Sequence, residues 1–148
     1  KGIAFHAGEL LWNSKPIGRN HNGLRLAPQY LPSEPSLVFW ISDFHFAPEL
    51  IRIFLNATKY HDVVPIILDD AREYNWPRWG IIRIYDPETG GMKLRFITPG
   101  VGKKLKDSFE ARREKTIELF RIYNRRPIRM RGAFDLKKLF RFFEERLE

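Results

Sequence analysis

The sequence predicts an α/β domain built on a mostly parallel, open sheet with helices on both faces and one β-hairpin. Two runs of β-branched and aromatic residues, at 37–41 and 63–68, flank a helical pattern, and this order is typical of parallel strands. Two further apolar runs, at 81–85 and 92–97, are separated by proline and glycines, which predicts a hairpin. The 148 residues suit one domain, so we expect a single unit.

The amino-terminal region carries short and interrupted signals. The apolar run Ile3–Phe5 predicts a strand, and the polar, glycine-containing stretch 13–23 predicts a loop. Apolar residues between 24 and 31 have rough helical spacing, although Pro28 limits any helix there to a short one that holds the proline in its first turn. The chain starts with Lys1 rather than methionine, which indicates a fragment or a processed chain.

The central region predicts a strand, a helix and a second strand. Leu37–Ile41 is continuously apolar, the pattern of a strand that is covered on both faces. Pro48 suits the first turn of a helix with an apolar face that runs to about Tyr60. Val63–Leu68 is the second buried strand.

Acidic residues follow both of these strands. Asp43 closes the first strand, and Asp69 and Asp70 close the second. Because parallel strands end at the same edge of a sheet, we expect the three carboxylates to emerge together, where open α/β folds bind ligands. One interpretation is therefore a carboxylate cluster. The alternative, which we favour, is that Asp70 forms a loop salt-bridge set with Arg72 and Glu73.

The carboxyl-terminal region predicts two helices and a strand. Residues 103–123 predict a long helix with apolar side chains on one side and mixed charges elsewhere, and residues 127–130 predict a short strand. Apolar residues from Leu136 to Leu147 recur at i, i+3, i+4, i+7 and i+11. This spacing predicts an amphipathic helix that begins after Asp135.

The positive charge of the chain is concentrated at its carboxyl end. The net charge is +8, and residues 103–148 contain 15 Lys and Arg against 8 Asp and Glu. Arg125, Arg126 and Arg129, with Arg121 and Arg131 beside them, form a candidate anion-binding patch. The alternative, which we favour, is a solvated helix face in which the arginines pair with glutamates of the long helix.

Several classes of function have no support in the sequence. The chain has no cysteine, which excludes disulfides, thiolate zinc sites and cysteine nucleophiles. Its four histidines are scattered, and it has neither a serine-nucleophile signature nor a glycine-rich phosphate loop. We therefore identify no catalytic residue. Trp76 and Trp79, in a loop with proline, are candidate binding residues, whereas Trp40 lies in an apolar strand and is expected in the core.

Several segments together resemble a known family. Residues 38–44, Val-Phe-Trp-Ile-Ser-Asp-Phe, are similar to its apolar strand followed by Ser-Asp and an apolar residue. Residues 61–73, ending Leu-Asp-Asp-Ala-Arg-Glu, resemble its strand leading into Asp-Pro-Arg-Glu, and Trp76-Pro77 and Gly80 continue the pattern. The family is that of the bacterial von Willebrand factor A-like proteins called domain of unknown function fifty-eight, often encoded beside MoxR-type AAA+ ATPases.

The resemblance covers residues 37–148, and residues 1–36 match it poorly. It implies a von Willebrand A or Rossmann-like sheet that is incomplete at its amino terminus. It also implies that Asp43 occupies a metal-site position. The Asp-x-Ser-x-Ser motif of metal-binding members is, however, absent from the chain. Asn22-Gly23, at the position of their second metal-binding loop, lacks the threonine of that loop.

A divalent cation such as Mg²⁺ needs about six oxygen ligands, so one carboxylate does not hold it alone. We therefore expect a degenerate metal site and no cofactor, with Mg²⁺ bound only if an upstream segment supplies the missing ligands. The alternative role for Asp43, which we favour, is to cap the turn after its strand.

The resemblance implies a non-enzymatic domain that binds another protein, such as a MoxR-like AAA+ ATPase. It would lie in the cytoplasm, or on the cytoplasmic side of a membrane if the full-length chain is anchored, since no run in this segment approaches the roughly 20 apolar residues of a membrane span. The residues alone leave a second hypothesis open, a nucleic-acid-binding or metal-dependent nuclease domain that uses Asp43, Asp69 and Asp70 with the basic end. A third is association with an anionic membrane surface.

Overall fold

The computed structural model describes residues 2–14, 22–70, 74–85 and 91–147. Its helices are α1 (Ile3–Asn13), α2 (Asn22–Leu26), α3 (Pro48–Ala57), α4 (Pro99–Ile122) and α5 (Leu136–Glu144), with a short 3-10 helix at Ala27–Tyr30. Its strands are β1 (Leu37–Ser42), β2 (Asp62–Asp69), β3 (Gly80–Tyr85), β4 (Met92–Ile97) and β5 (Ile128–Arg131). None of the described helices has the length and apolar character of a membrane span.

Three of the strands form a parallel sheet in the order β1-β2-β5. The register pairs Phe39 with Val64 and Ile41 with Ile66, and on the other side of β2 it pairs Ile66 with Ile128. Strands β3 and β4 form a separate antiparallel hairpin. The predicted parallel sheet and hairpin are therefore confirmed.

Helices pack against both faces of the parallel sheet. On one face, Trp40 of β1 and Ile67 of β2 belong to a buried cluster that includes Phe54 of α3 and Phe120 of α4. On the other face, Val64, Ile66, Ile128 and Met130 pack with Phe142 of α5. Trp40 lies in the core as expected, with its ring centroid 4.1 Å from that of Phe54.

Prolines or side-chain caps mark the starts of helices α3, α4 and α5. Pro48 occupies the first turn of α3, as predicted. The side chain of Asp135 accepts a hydrogen bond from the backbone N–H of Lys138 at 3.2 Å and so caps α5. Helix α4 begins at Pro99, four residues before the predicted start, because the hydroxyl of Thr98 accepts from the N–H of Val101 and proline suits the first helical position.

The predicted strand at Ile3–Phe5 is wrong, since these residues begin the helix α1. An apolar run of three residues fits the first turn of a helix as well as it fits a strand. The residues that follow it include Ala7, Leu10 and Leu11, which are strong helix formers. The local preference of the longer segment therefore decides its structure.

The prediction that β1 is covered on both faces is also wrong. Leu37, Phe39 and Ile41 are exposed by 48%, 44% and 57% on the face toward α5, and Leu68 of β2 is exposed by 44% on the same face. Within the described residues β1 is an edge strand, and α5 reaches it through a contact of Phe143 with Phe39, whose ring centroids lie 6.0 Å apart. We call the surface of these four exposed side chains the open face.

Candidate functional site

Strand β1 ends in a tight turn that involves the side chain of Asp43. The carboxylate oxygen Oδ1 of Asp43 accepts a hydrogen bond from the backbone N–H of His45 at 3.1 Å, and the hydroxyl of Ser42 accepts from the N–H of Phe44 at 3.1 Å. Phe44 has a left-handed backbone conformation with φ 57° and is almost fully buried. The two side-chain hydrogen bonds stabilise this strained turn, which is the role that the capping interpretation gives to Asp43.

Asp69, at the end of β2, is a buried carboxylate held by two arginines. It is 4% exposed. Its Oδ2 accepts hydrogen bonds from Nε and Nη2 of Arg129 at 2.8 and 2.6 Å. Its Oδ1 lies 2.7 Å from Nε of Arg113, as an ion pair rather than as an aligned hydrogen bond. Both oxygens of Asp69 are therefore engaged by positive charge.

Arg113 joins the two carboxyl-terminal strand ends. Its Nη1 donates to the backbone carbonyl of Asp43 at 2.7 Å, while its Nε faces Asp69. Arg113 is 4% exposed, although it lies in the highly charged helix α4. The sequence does contain a signal for its position, because Phe109, Arg113, Thr116 and Phe120 follow the helical spacing of one face. The prediction assigned such charges to solvent and so missed this residue.

Arg129 is held in its charged form by Asp69 and Tyr74. Burial lowers the pKa of Arg129, but the hydrogen bonds and charge of Asp69, together with Tyr74, outweigh it and raise the pKa above its usual value. Folding therefore favours the protonated guanidinium. This stabilisation is fully present at every pH below the usual arginine pKa and is lost only as the pH rises through the raised value.

The predicted carboxylate cluster of Asp43, Asp69 and Asp70 stays a prediction. Asp70 is exposed, and Arg72 and Glu73 lie outside the described residues, so the loop salt-bridge set stays a prediction. Among the residues that the structure describes, no three His, Asp or Glu side chains lie close enough together to hold a metal ion. The metal-ligand role of Asp43 also stays a prediction.

The predicted tryptophans pack on different elements. Trp76 is half-buried, and its ring lies parallel to that of Phe109 of α4 at a centroid distance of 6.2 Å. Trp79 is 62% exposed and lies 6.3 Å from Phe96 of the hairpin. Their role in binding remains untested.

The predicted arginine patch lines a pocket between α4, β5 and α5. Its volume is about 530 Å³, and Arg125, Arg126 and Arg129 contribute to its wall. Arg125 donates to the carbonyl of His61 at 2.9 Å, and Arg126 pairs with Glu145. The alternative interpretation is that these arginines pair with glutamates of α4. One such ion pair is present on the surface, between Nη1 of Arg121 and Oε2 of Glu118 at 3.5 Å.

Comparison with known proteins identifies a family and a relative. The model of a family described as "Protein of unknown function DUF58" matches residues 6–116. The "Uncharacterized protein in moxR 3'region" of Paracoccus denitrificans is 36% identical over 70 residues, which are 47% of this chain and 67% of that protein. No solved structure matches the chain. The family match begins before residue 37 and ends within α4, so it includes Asp43, Asp69 and Arg113.

Proposed function

The chain belongs to the family described as Protein of unknown function DUF58, and from this premise we propose that it is a non-enzymatic domain that binds a MoxR-like AAA+ ATPase. The observation that carries this proposal is the open face, a row of large apolar side chains left exposed on a parallel sheet. The choice of partner is supported by the relative's name, which places that protein in a moxR 3' region.

The open face has the chemistry of a protein-binding surface. Side chains on one face of a strand alternate, so Leu37, Phe39 and Ile41 form a single row, and the register of β1 with β2 continues this row toward Leu68. Parallel sheets are usually covered on both faces by the helices of their crossover connections, so their strands are apolar on both faces. Exposed apolar surface of this kind is typical of interfaces with other proteins.

The acidic residues at the sheet edge have structural partners, which supports a role without catalysis. Both oxygens of Asp69 face arginines, and Oδ1 of Asp43 accepts a backbone hydrogen bond. A general base needs a lone pair that is directed toward the substrate. The charge of Asp69 instead balances Arg113 and Arg129 inside the molecule.

The proposal also includes the fold type of the sheet and the location of the domain in the cell. The sheet is of the von Willebrand A type, supported by the parallel order β1-β2-β5 with Asp43 after the carboxyl end of β1. The domain works in the cytoplasm, or on the cytoplasmic side of a membrane if the full-length chain is anchored, where an ATP-dependent partner finds its nucleotide.

The experiment compares two isoleucine variants for binding to the purified MoxR-like ATPase encoded in the same genome. Ile41→Thr removes apolar area from the open face but keeps the β-branched shape that a strand favours. Because burial of an isoleucine contributes roughly 1.5–3 kcal/mol, we expect Ile41→Thr to weaken binding by about tenfold in isothermal titration calorimetry.

The matched control is Ile53→Thr, which changes an isoleucine of α3 that is 44% exposed and lies outside the open face. It should leave the affinity unchanged. An equal loss of affinity in both variants would show that the open face is not the contact surface. If the chain and the ATPase form no complex, with or without ATP, the proposal that a MoxR-like ATPase is the partner is refuted.

A further inference from the structure

The pocket between α4, β5 and α5 has an unusual concentration of positive charge. We call it the β5 pocket. Its polar lining consists of five cations and one amide, Arg121, Arg125, Arg126, Arg129, Lys138 and Asn124. No carboxylate of the described residues lines it. All of its lining residues follow residue 116, so it lies outside the segment that the DUF58 family model matches and is independent of the open face.

Backbone and carboxylate partners hold the arginines of the β5 pocket in place. Nη2 of Arg125 donates to the carbonyl of His61 at 2.9 Å, and Arg129 is anchored on the buried Asp69. Arg126 is anchored on Glu145. A guanidinium has five N–H donors in a rigid fork, so an arginine that is anchored through one or two of them retains others for a ligand.

The positive charge around the β5 pocket exceeds the local negative charge. Each of the four lining arginines has a carboxylate partner, but Asp69 also pairs with Arg113 and Asp62 also pairs with Arg146. Lys138 has no side-chain partner among the described residues. The carboxyl end of α4, at Ile122, carries about half a negative charge and offsets a part of this excess. A net excess of positive charge remains for an anion to balance.

The shape and composition of the β5 pocket select one class of anion. Arginine forks match the geometry of phosphate groups, to which they donate two parallel hydrogen bonds. A volume of about 530 Å³ is that of a small-molecule site. Proteins that bind single-stranded nucleic acid stack its bases on aromatic side chains, and no aromatic residue of the described ranges lines the pocket.

We propose that the β5 pocket binds a small ligand that carries two or more phosphate groups. Arg121 of α4 and Lys138 of α5 contact the ligand, together with the less exposed Arg125 and Arg129. A carboxylic acid of similar size binds less well, because it has fewer acceptor oxygens for the arginine forks.

The experiment measures binding of inorganic pyrophosphate to the full chain by isothermal titration calorimetry, with acetate for comparison. We expect saturable one-to-one binding with a dissociation constant below about 1 mM at about 50 mM salt, and weaker binding at about 200 mM salt. The double variant Arg121→Gln/Lys138→Gln should weaken it by at least about tenfold, since hydrogen bonds to charged groups are the strong ones. Both side chains are exposed, so the variant should keep its melting temperature.

The control is a double variant that removes two positive charges outside the β5 pocket. Arg83→Gln/Lys93→Gln changes two exposed cations of the hairpin and should bind pyrophosphate as tightly as the unmodified chain. An equal loss in both double variants would show attraction by net charge and overturn the proposal, as would the absence of saturable binding at low salt.

Two further arms identify the source of the phosphate. Vesicles of anionic phospholipid and a short DNA duplex are offered to the chain in the presence and absence of pyrophosphate. Displacement of either one by pyrophosphate, with a midpoint near the pyrophosphate dissociation constant, supports the β5 pocket as the phosphate site. Binding of vesicles or DNA that depends on Arg121 and Lys138 but that pyrophosphate does not displace overturns it.

Discussion

At the scale of single residues, the carboxyl edge of the sheet holds two buried ions, Asp69 and Arg113. Asp69 and Arg113 are each 4% exposed, so both have lost nearly all of their hydration. Transfer of a charge out of water costs several kcal/mol. In the cluster of Asp69, Arg113 and Arg129, each ion offsets this cost for its neighbours of opposite charge. Arg113 also binds the carbonyl of Asp43 and thereby fixes the end of β1 relative to the end of β2.

We expect Asp69→Asn to lower the free energy of unfolding by about 3–5 kcal/mol, because it leaves the buried Arg113 without its counter-charge. Urea denaturation followed by circular dichroism measures this loss. The same substitution at the other end of β2, Asp62→Asn, breaks ion pairs that are about 40% exposed on the Asp62 side and should cost at most about 1 kcal/mol. A loss for Asp69→Asn no greater than for Asp62→Asn would contradict the structural role of the cluster.

The sequence predicts some residues of this region and misses others for a physical reason. Asp43 and Asp69 were placed at one sheet edge by the strand–helix–strand order, which depends on local pattern. The pairing of Asp69 with Arg113 and Arg129 joins residues 44 and 60 positions apart. The helical spacing places Arg113 on the same face of α4 as Phe120, but it does not reveal which carboxylate Arg113 meets. Such partners become visible when the tertiary structure brings them together.

At the scale of elements, single residues mark the starts of helices α4 and α5. Thr98-Pro99 carries the start signal of α4, and Asp135 carries that of α5. The prediction used Asp135 and placed the start of α5 correctly, although it extended the helix to Leu147 and α5 ends at Glu144. For α4 it relied on apolar spacing and began the helix too late. In α1, the helix-forming residues after Phe5 outweigh a short apolar run that was interpreted as a strand.

We expect Asp135→Ala to destabilise the chain by about 1 kcal/mol, because the first N–H groups of α5 lose their acceptor. The effect reaches the whole molecule because α5 supplies Phe142 to the core on its face of the sheet. The urea midpoint measures it. Asp107→Ala, at an exposed position inside α4, serves as the control and should be neutral or slightly stabilising, since alanine is the better helix former. Equal midpoints for the two variants would contradict the cap.

At the scale of the whole molecule, the α/β class and the parallel sheet followed from the sequence because apolar runs and turn residues determine them locally. The exposure of β1 could not be predicted from the sequence. The apolar run of a strand has the same pattern whether or not another element of the fold covers it. The result is a sheet with α3 and α4 on one face and α5 over part of the other, which leaves Leu37, Phe39, Ile41 and Leu68 exposed. This uncovered part is the basis of the proposed interaction with a MoxR-like ATPase.

Amide hydrogen exchange of the chain with and without the MoxR-like ATPase tests the central proposal most directly. β1 is an edge strand among the described residues, so the backbone N–H groups on its unpaired side should exchange quickly in the free chain. We expect the ATPase to slow exchange within Leu37–Ser42 by at least about tenfold and to leave the β3-β4 hairpin unchanged. Unchanged exchange in β1, together with protection confined to the hairpin or to α4, would contradict the account.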